Sequence, residues 1–96
     1  VKMLIIVYND IVDESLIMTL KEAGVSGYTK WKETLGEGPG TEPKLGSHIW
    51  PGKNNVVAAV VEDDKLAGIT ELLRGLKDQH PKGGIKTFVL QVEDTI

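Results

Sequence analysis

An α+β sandwich, with two helices on one face of a four-stranded antiparallel sheet, is the fold class that this 96-residue sequence predicts. Three observations lead to it. Two short apolar runs, residues 3–8 and 56–61, have the length and β-branching of buried strands rather than helices. Two other segments, 28–35 and 87–93, follow the two-residue alternation of half-buried strands. Stretches of helical period follow the first and the second apolar run.

In chain order, the first strand is Met-Leu-Ile-Ile-Val-Tyr at 3–8. A helix over 11–23 places Val12, Leu16, Leu20 and Ala23 on one stripe, with Gly24 as its C-terminal stop. In the second strand, 28–35, Trp31 and Leu35 share a face with Thr29 and Glu33, while Lys30 and Lys32 point the other way. The third strand, 56–61, is Val-Val-Ala-Ala-Val-Val. The second helix begins after Asp63 and Asp64 as caps and aligns Leu66, Ile69, Leu73 and Leu76. It stops before Pro81, whose ring drives His80 out of the helical region. In the last strand, 87–93, Phe88, Leu90 and Val92 share a face. The order β-α-β-β-α-β is the ferredoxin-like arrangement over one domain, 1–96. Right-handed crossovers place the first and third strands, the two most apolar, at the centre of the sheet.

That arrangement leaves one face of the sheet without a helix. Leu4, Ile6 and Tyr8 alternate with Met3, Ile5 and Val7, and Val57, Ala59 and Val61 alternate with Val56, Ala58 and Val60, so both faces of both central strands are apolar. An uncovered face of this kind is an apolar patch of several hundred Å², more than a monomer normally exposes. Other subunits are the expected cover. The alternative is a monomer with a long loop folded over the sheet, for which that loop has little apolar content.

The loop in question is 36–52, which holds five of the eleven glycines and three of the four prolines. Connections in compact domains usually run about 4–6 residues, and structureless ones beyond about 12–15 are usually functional or disordered. A partner or ligand contact is therefore expected from it. The rest of the composition is ordinary for a globular domain: 41% hydrophobic, net charge -3. The charge argues against a general nucleic-acid binder. No apolar run approaches the roughly 18 residues of a membrane span. No cysteine is present, which excludes thiolate metal sites and disulfides and fits a cytoplasmic protein.

With that topology in place, the sequence resembles the PII signalling-protein superfamily. The residues that carry the resemblance are Gly24-Val-Ser-Gly27-Tyr-Thr29 before the second strand and Gly36-Glu-Gly38 opening the loop. Val60-Val61-Glu-Asp63-Asp64 and Lys86-Thr-Phe88-Val89 add to it. The resemblance implies a homotrimer whose sheets face a central axis, a target-binding loop between the second and third strands, and an adenine nucleotide (ATP, ADP or AMP) between subunits. By position it assigns nucleotide contacts to Thr29, Gly36, Gly38, Gly83 and Lys86, and partner contacts in the loop to Glu37, Glu42, Lys44 and His48. The target it implies is a transporter or an enzyme, with no cofactor required.

Departures weaken the nucleotide expectation. The family's acid at the base of the adenine pocket corresponds to Ala58, and its acid in the phosphate turn to Gly84. Residues 92–96 hold none of the basic side chains that the family uses beyond the last strand, and the loop lacks the tyrosine that PII proteins present for modification. His80-Pro81 is similar to the CutA proteins, trimeric relatives associated with divalent metals. That alternative makes His48 and His80 candidate metal ligands, with Glu37 or Glu42.

Taken from the residues alone, Pro81-Lys82-Gly83-Gly84-Ile85-Lys86 is either an anion cradle of converging N–H groups and lysines or a plain helix-to-strand turn. Gly36–Gly40 opens no helix and is no dinucleotide fingerprint, and Gly52-Lys53 lacks the Ser or Thr of a phosphate-binding P-loop. Trp31 and Trp50 suit interface packing or a loop anchor. No serine is positioned by a histidine for nucleophilic catalysis, so no enzyme is expected, and a regulator is what the family resemblance implies. A trimer with no ligand is the remaining reading.

Overall fold

The computed structural model describes residues 1–36 and 53–96. Strand β1 (Lys2–Asn9) leads through a 3-10 turn (Asp10–Val12) into helix α1 (Asp13–Glu22), then come β2 (Thr29–Thr34), β3 (Asn54–Val61), α2 (Asp63–Gln79) and β4 (Lys86–Gln91). The sheet order is β2-β3-β1-β4, antiparallel throughout. This is the expected ferredoxin-like architecture, with the two apolar strands in the middle.

The helix-facing core follows the alternation of those strands. Leu4, Ile6 and Tyr8 of β1 and Val57, Ala59 and Val61 of β3 are buried beneath Val12, Leu16 and Leu20 of the first helical stretch and Ile69, Leu73 and Leu76 of the second. Leu66 and Ala23 pack at its margin. Gly24, at φ +85°, ends α1 in the left-handed conformation that glycine adopts without a Cβ clash. The N-cap of α2 is Glu62, and Asp63 and Asp64 lie in its first turn. The two aspartates therefore act on the helix dipole rather than as the expected caps.

One expectation fails at β2. Trp31 pairs with Val56, but the next pairing is Thr34 with Asn54, so one extra residue enters the strand. The alternation that would put Glu33 and Leu35 on the same side as Trp31 breaks at Glu33, which takes φ +60°. A side-chain acceptor explains why, and it belongs to the site described next.

Gly68 and Gly75 lie within α2, and a Cβ built on either meets nothing within 4 Å. Glycine in a helix interior costs roughly 0.5–1 kcal/mol relative to alanine. Gly68→Ala and Gly75→Ala should each stabilise by about that amount in chemical denaturation.

Candidate functional site

The expected site residues come from strand ends and turns, and the sheet register fixes where each can reach. The end of β1 organises one end of the sheet. Its Asn9 N–H donates to the carbonyl of Gly83 (2.7 Å), and the following Asp10 N–H donates to the carbonyl of Lys53 (2.9 Å). Asn9 also caps the 3-10 turn, its Oδ1 accepting from the Ile11 N–H (3.1 Å). Two successive amides thus tie the turn before β4 and the return of the 37–52 loop to one point. The Asp10–Lys53 bond carries the β1–β3 register one residue further, and both donors are satisfied in this way.

Gly83 is buried here, and a larger residue would crowd its neighbours. A Cβ would meet the His80 carbonyl oxygen at 3.1 Å and Val12 Cγ1 at 3.2 Å. Its N–H donates to that same His80 carbonyl (2.8 Å), closing a turn around Pro81 and Lys82. Its amide is therefore engaged internally, and Gly83 contributes position to the turn rather than a donor to an anion. Gly84, exposed at φ +62°, supplies the left-handed residue of the same turn. Lys86 is exposed at the first position of β4, opposite Val7.

Across the sheet, Lys86, Val7, Val56 and Trp31 form one row, and Phe88, Ile5, Ala58 and Thr29 form another. Three strand spacings of about 4.8 Å separate the ends of each row by about 14 Å. Thr29 also lies five residues back along β2 from Thr34, about 16 Å from the loop base at the strand rise of about 3.3 Å per residue. Gly83 and Lys86 therefore stand at the β4 edge of the sheet, whereas Gly36 and Thr29 belong to the opposite, β2 edge. There Thr29 borders a shallow recess of about 260 Å³ lined by Met3, Gly27, Tyr28, Ala58 and Val60. No single copy of the chain unites the four described residues that the family resemblance assigns to one ligand. Gly38 and the loop residues Glu37, Glu42, Lys44 and His48 lie outside the described residues.

A polar cluster that sequence reading missed sits beneath the loop base. The Asp13 carboxylate accepts from the Tyr8 hydroxyl (2.6 Å), from Asn55 Nδ2 (3.1 Å) and from Lys30 Nζ (3.0 Å to Oδ2). Asn55, almost fully buried, uses its Oδ1 to accept from the Glu33 N–H (3.1 Å). Glu33 in turn reaches Lys53 across the mouth of the loop, carboxylate to ammonium 3.4 Å, and the Thr34 hydroxyl donates to the Asn54 carbonyl (2.8 Å). Burial raises the Asp13 pKa, but the hydrogen bonds from Tyr8, Lys30 and Asn55 outweigh it and hold the carboxyl below its ordinary value. Burial, then the Asp13 contact, pushes the Tyr8 hydroxyl well above the ordinary tyrosine value, so it remains a donor. The available signal was Asn54-Asn55 at the head of an apolar strand, a residue type that strands disfavour unless its amide has a partner.

His80, the other candidate metal ligand, closes α2 with its N–H on the carbonyls of Leu76 and Lys77. Among the described residues no group of three His, Asp or Glu side chains could hold a metal ion. Among them, too, no helix is long and apolar enough to cross a membrane.

A ferredoxin-like α+β sandwich, with a long β2–β3 connection whose return at Lys53 and the turn before β4 both bond to the end of β1, is the class that these elements define. The family profile "Nitrogen regulatory protein P-II" matches residues 1–96, and the chain belongs to that family. No curated protein sequence matches it. Solved structures share its fold. CPII from Thiomonas intermedia K12, bound to ADP and bicarbonate, is 22% identical with a TM-score of 0.73, covering 97% of this chain and 88% of its own. CPII bound to ADP, AMP and bicarbonate is 24% identical with a TM-score of 0.67, covering 99% and 94%. A PII-like signaling protein from Thermus thermophilus is 24% identical with a TM-score of 0.64, covering 95% and 85%.

Proposed function

We propose that this chain is a domain of a cytoplasmic, non-enzymatic PII-like regulator. It assembles as a homotrimer, senses an adenine nucleotide at clefts between subunits, and signals to a transporter or enzyme through residues 36–52. The observation that carries the reading is the division of the site. Gly83 and Lys86 lie at the β4 edge of the sheet, while Gly36, Thr29 and its recess lie on the β2 side, about 14 Å across the strands. A ligand that touches both sets needs two copies of the chain. The helix-free face supports the same assembly: Trp31, Val60, Phe88 and Leu90 keep about half their surface exposed around Met3, Ile5, Val7 and Ala58. The fold neighbours bound to ADP, AMP and bicarbonate support nucleotide as the ligand class.

In this reading Lys86 supplies the charge for phosphate, and the recess at Thr29 and Ala58 receives the base. Ala58 offers no carboxylate to the base edge, so binding is weak, in the micromolar to millimolar range that corresponds to about 4–8 kcal/mol. Nucleotide at the base orders the 36–52 loop, and the ordered loop docks on its target.

Calorimetry with ATP, ADP and AMP, each with and without bicarbonate, tests this. A charge-assisted contact contributes about 1.5–3 kcal/mol, so Lys86→Ala should weaken nucleotide binding roughly ten-fold or more. Absence of heat with every nucleotide, or equal affinity in the variant, would contradict the assignment.

A further inference from the structure

The bulge in β2 has the form of a switch. In a bulge of the left-handed type the first bulged residue is normally glycine, because it must take the αL conformation. Here the left-handed residue is Glu33, at φ +60°, one of the two residues between the Trp31 and Thr34 pairings and the one non-glycine residue with positive φ among the described residues. Glutamate is not among the residues that tolerate this conformation without steric cost. The conformation is held from outside, by the Asn55 side chain on the Glu33 N–H and by Lys53 on the Glu33 carboxylate. Asn55 is itself fixed by Asp13, which is fixed by Tyr8 and Lys30.

The competing state is written in the same strand. If Glu33 relaxed to extended backbone, the register of Thr29–Trp31 would continue unbroken, and residue 33 would oppose Asn54 in place of Thr34. A one-residue slip exchanges the faces of every residue beyond it. Leu35, 64% exposed in the bulged register, would then fall on the side of the strand that carries Trp31 and the apolar sheet face. The two registers thus have different rewards. The bulged one satisfies Asn55 and pairs Glu33 with Lys53, and the regular one removes the αL cost at Glu33.

We propose that Glu33 is the pivot of a one-residue register switch in β2, held in its bulged form by Asn55, that reverses the aim of residues 34–36 at the entrance to the 37–52 loop. That the loop carries a signal rests on the function proposed above, but the switch does not. The test is the cross-strand register of β2 and β3 by NMR, with amide protection of β1 and β3 as the measure of an intact fold. Wild type and Glu33→Gly, which accepts αL freely, should both show Thr34 opposite Asn54. Glu33→Val, a β-branched residue that rejects αL, should show residue 33 opposite Asn54 with β1–β3 protection unchanged. Should that variant fail to fold, Asn55→Ala decides on the same contacts, since it removes the restraint without touching residue 33. Retention of the Thr34–Asn54 pair in the deciding variant, or loss of pairing beyond Trp31 in both registers, overturns the switch. Neither result bears on nucleotide binding, and a failure to bind nucleotide leaves the register result standing.

Discussion

Val60→Asp should abolish assembly. In the isolated chain Val60 keeps 46% of its surface exposed on the helix-free face, so an aspartate there would remain hydrated and cost the subunit fold less than about 1 kcal/mol. In the proposed trimer the same position, beside its cross-strand partner Met3 on β1, would be packed against another copy. An unpaired carboxylate would then enter a dry interface, at about 3–5 kcal/mol for each uncompensated charge. A threefold assembly repeats that cost three times, and the equilibrium moves to monomer. Leu72→Asp is the control: Leu72 is 42% exposed on α2, on the helix layer, and its variant should sediment like wild type. Equal behaviour of the two variants would mean that the sheet face is no interface.

The second large effect is expected at Asp13. Asp13→Ala removes the acceptor shared by Tyr8, Lys30 and Asn55. Lys30 can turn to solvent, but the Tyr8 side chain is fully buried and its hydroxyl would be left without a partner. Leaving a buried donor unsatisfied costs about 1–3 kcal/mol, and loss of the charge-assisted bond from Asn55 adds to it. A total of about 2–4 kcal/mol is expected in denaturant titration at fixed protein concentration. Tyr8→Phe, which removes the donor instead, should cost only about 1 kcal/mol.

The Asp13 contribution carries a pH signature. Its folded pKa lies below the ordinary value of 3.8, so the charged form is favoured in the folded state. The resulting stability is fully present above the unfolded value and is lost as pH falls through the folded one. The stability gap between wild type and Asp13→Asn should therefore hold constant from neutral pH to about pH 5 and shrink below about pH 4. A gap that is independent of pH in that range would mean that the carboxylate charge contributes nothing.

The parts of the fold that were legible in the sequence are those governed by local pattern. Runs such as Leu4–Val7 and Val56–Val61 have one geometry that buries every second residue under a helix, and the stripes Leu16–Leu20 and Ile69–Leu73–Leu76 supply the helices that do it. The doubly apolar faces of β1 and β3 were likewise readable, because alternation alone assigns Ile5 and Ala58 to the side away from the helices. The polar cluster was not readable. Asp13 and Asn55 are 42 residues apart, and their contact is created by the sheet register rather than by any spacing in the chain. Lys30 looked like a twin of Lys32, and Tyr8 like the last apolar residue of a strand. The bulge was hidden for a related reason: a glycine at position 33 would have announced it, but a glutamate held in place by Asn55 does not. The candidate ligand residues were legible only through family resemblance, and their division between the β2 and β4 edges emerged from the strand order β2-β3-β1-β4.

Sedimentation equilibrium of the wild-type chain at micromolar concentration tests the central claim most directly. Sites shared between subunits and a covered sheet face both require a closed assembly. The expected species has close to three times the 10.5 kDa chain mass, with no monomer at that concentration. A stable, well-folded monomer would contradict the account, because the helix-free face would then be open to water and Thr29 would have no second copy to meet.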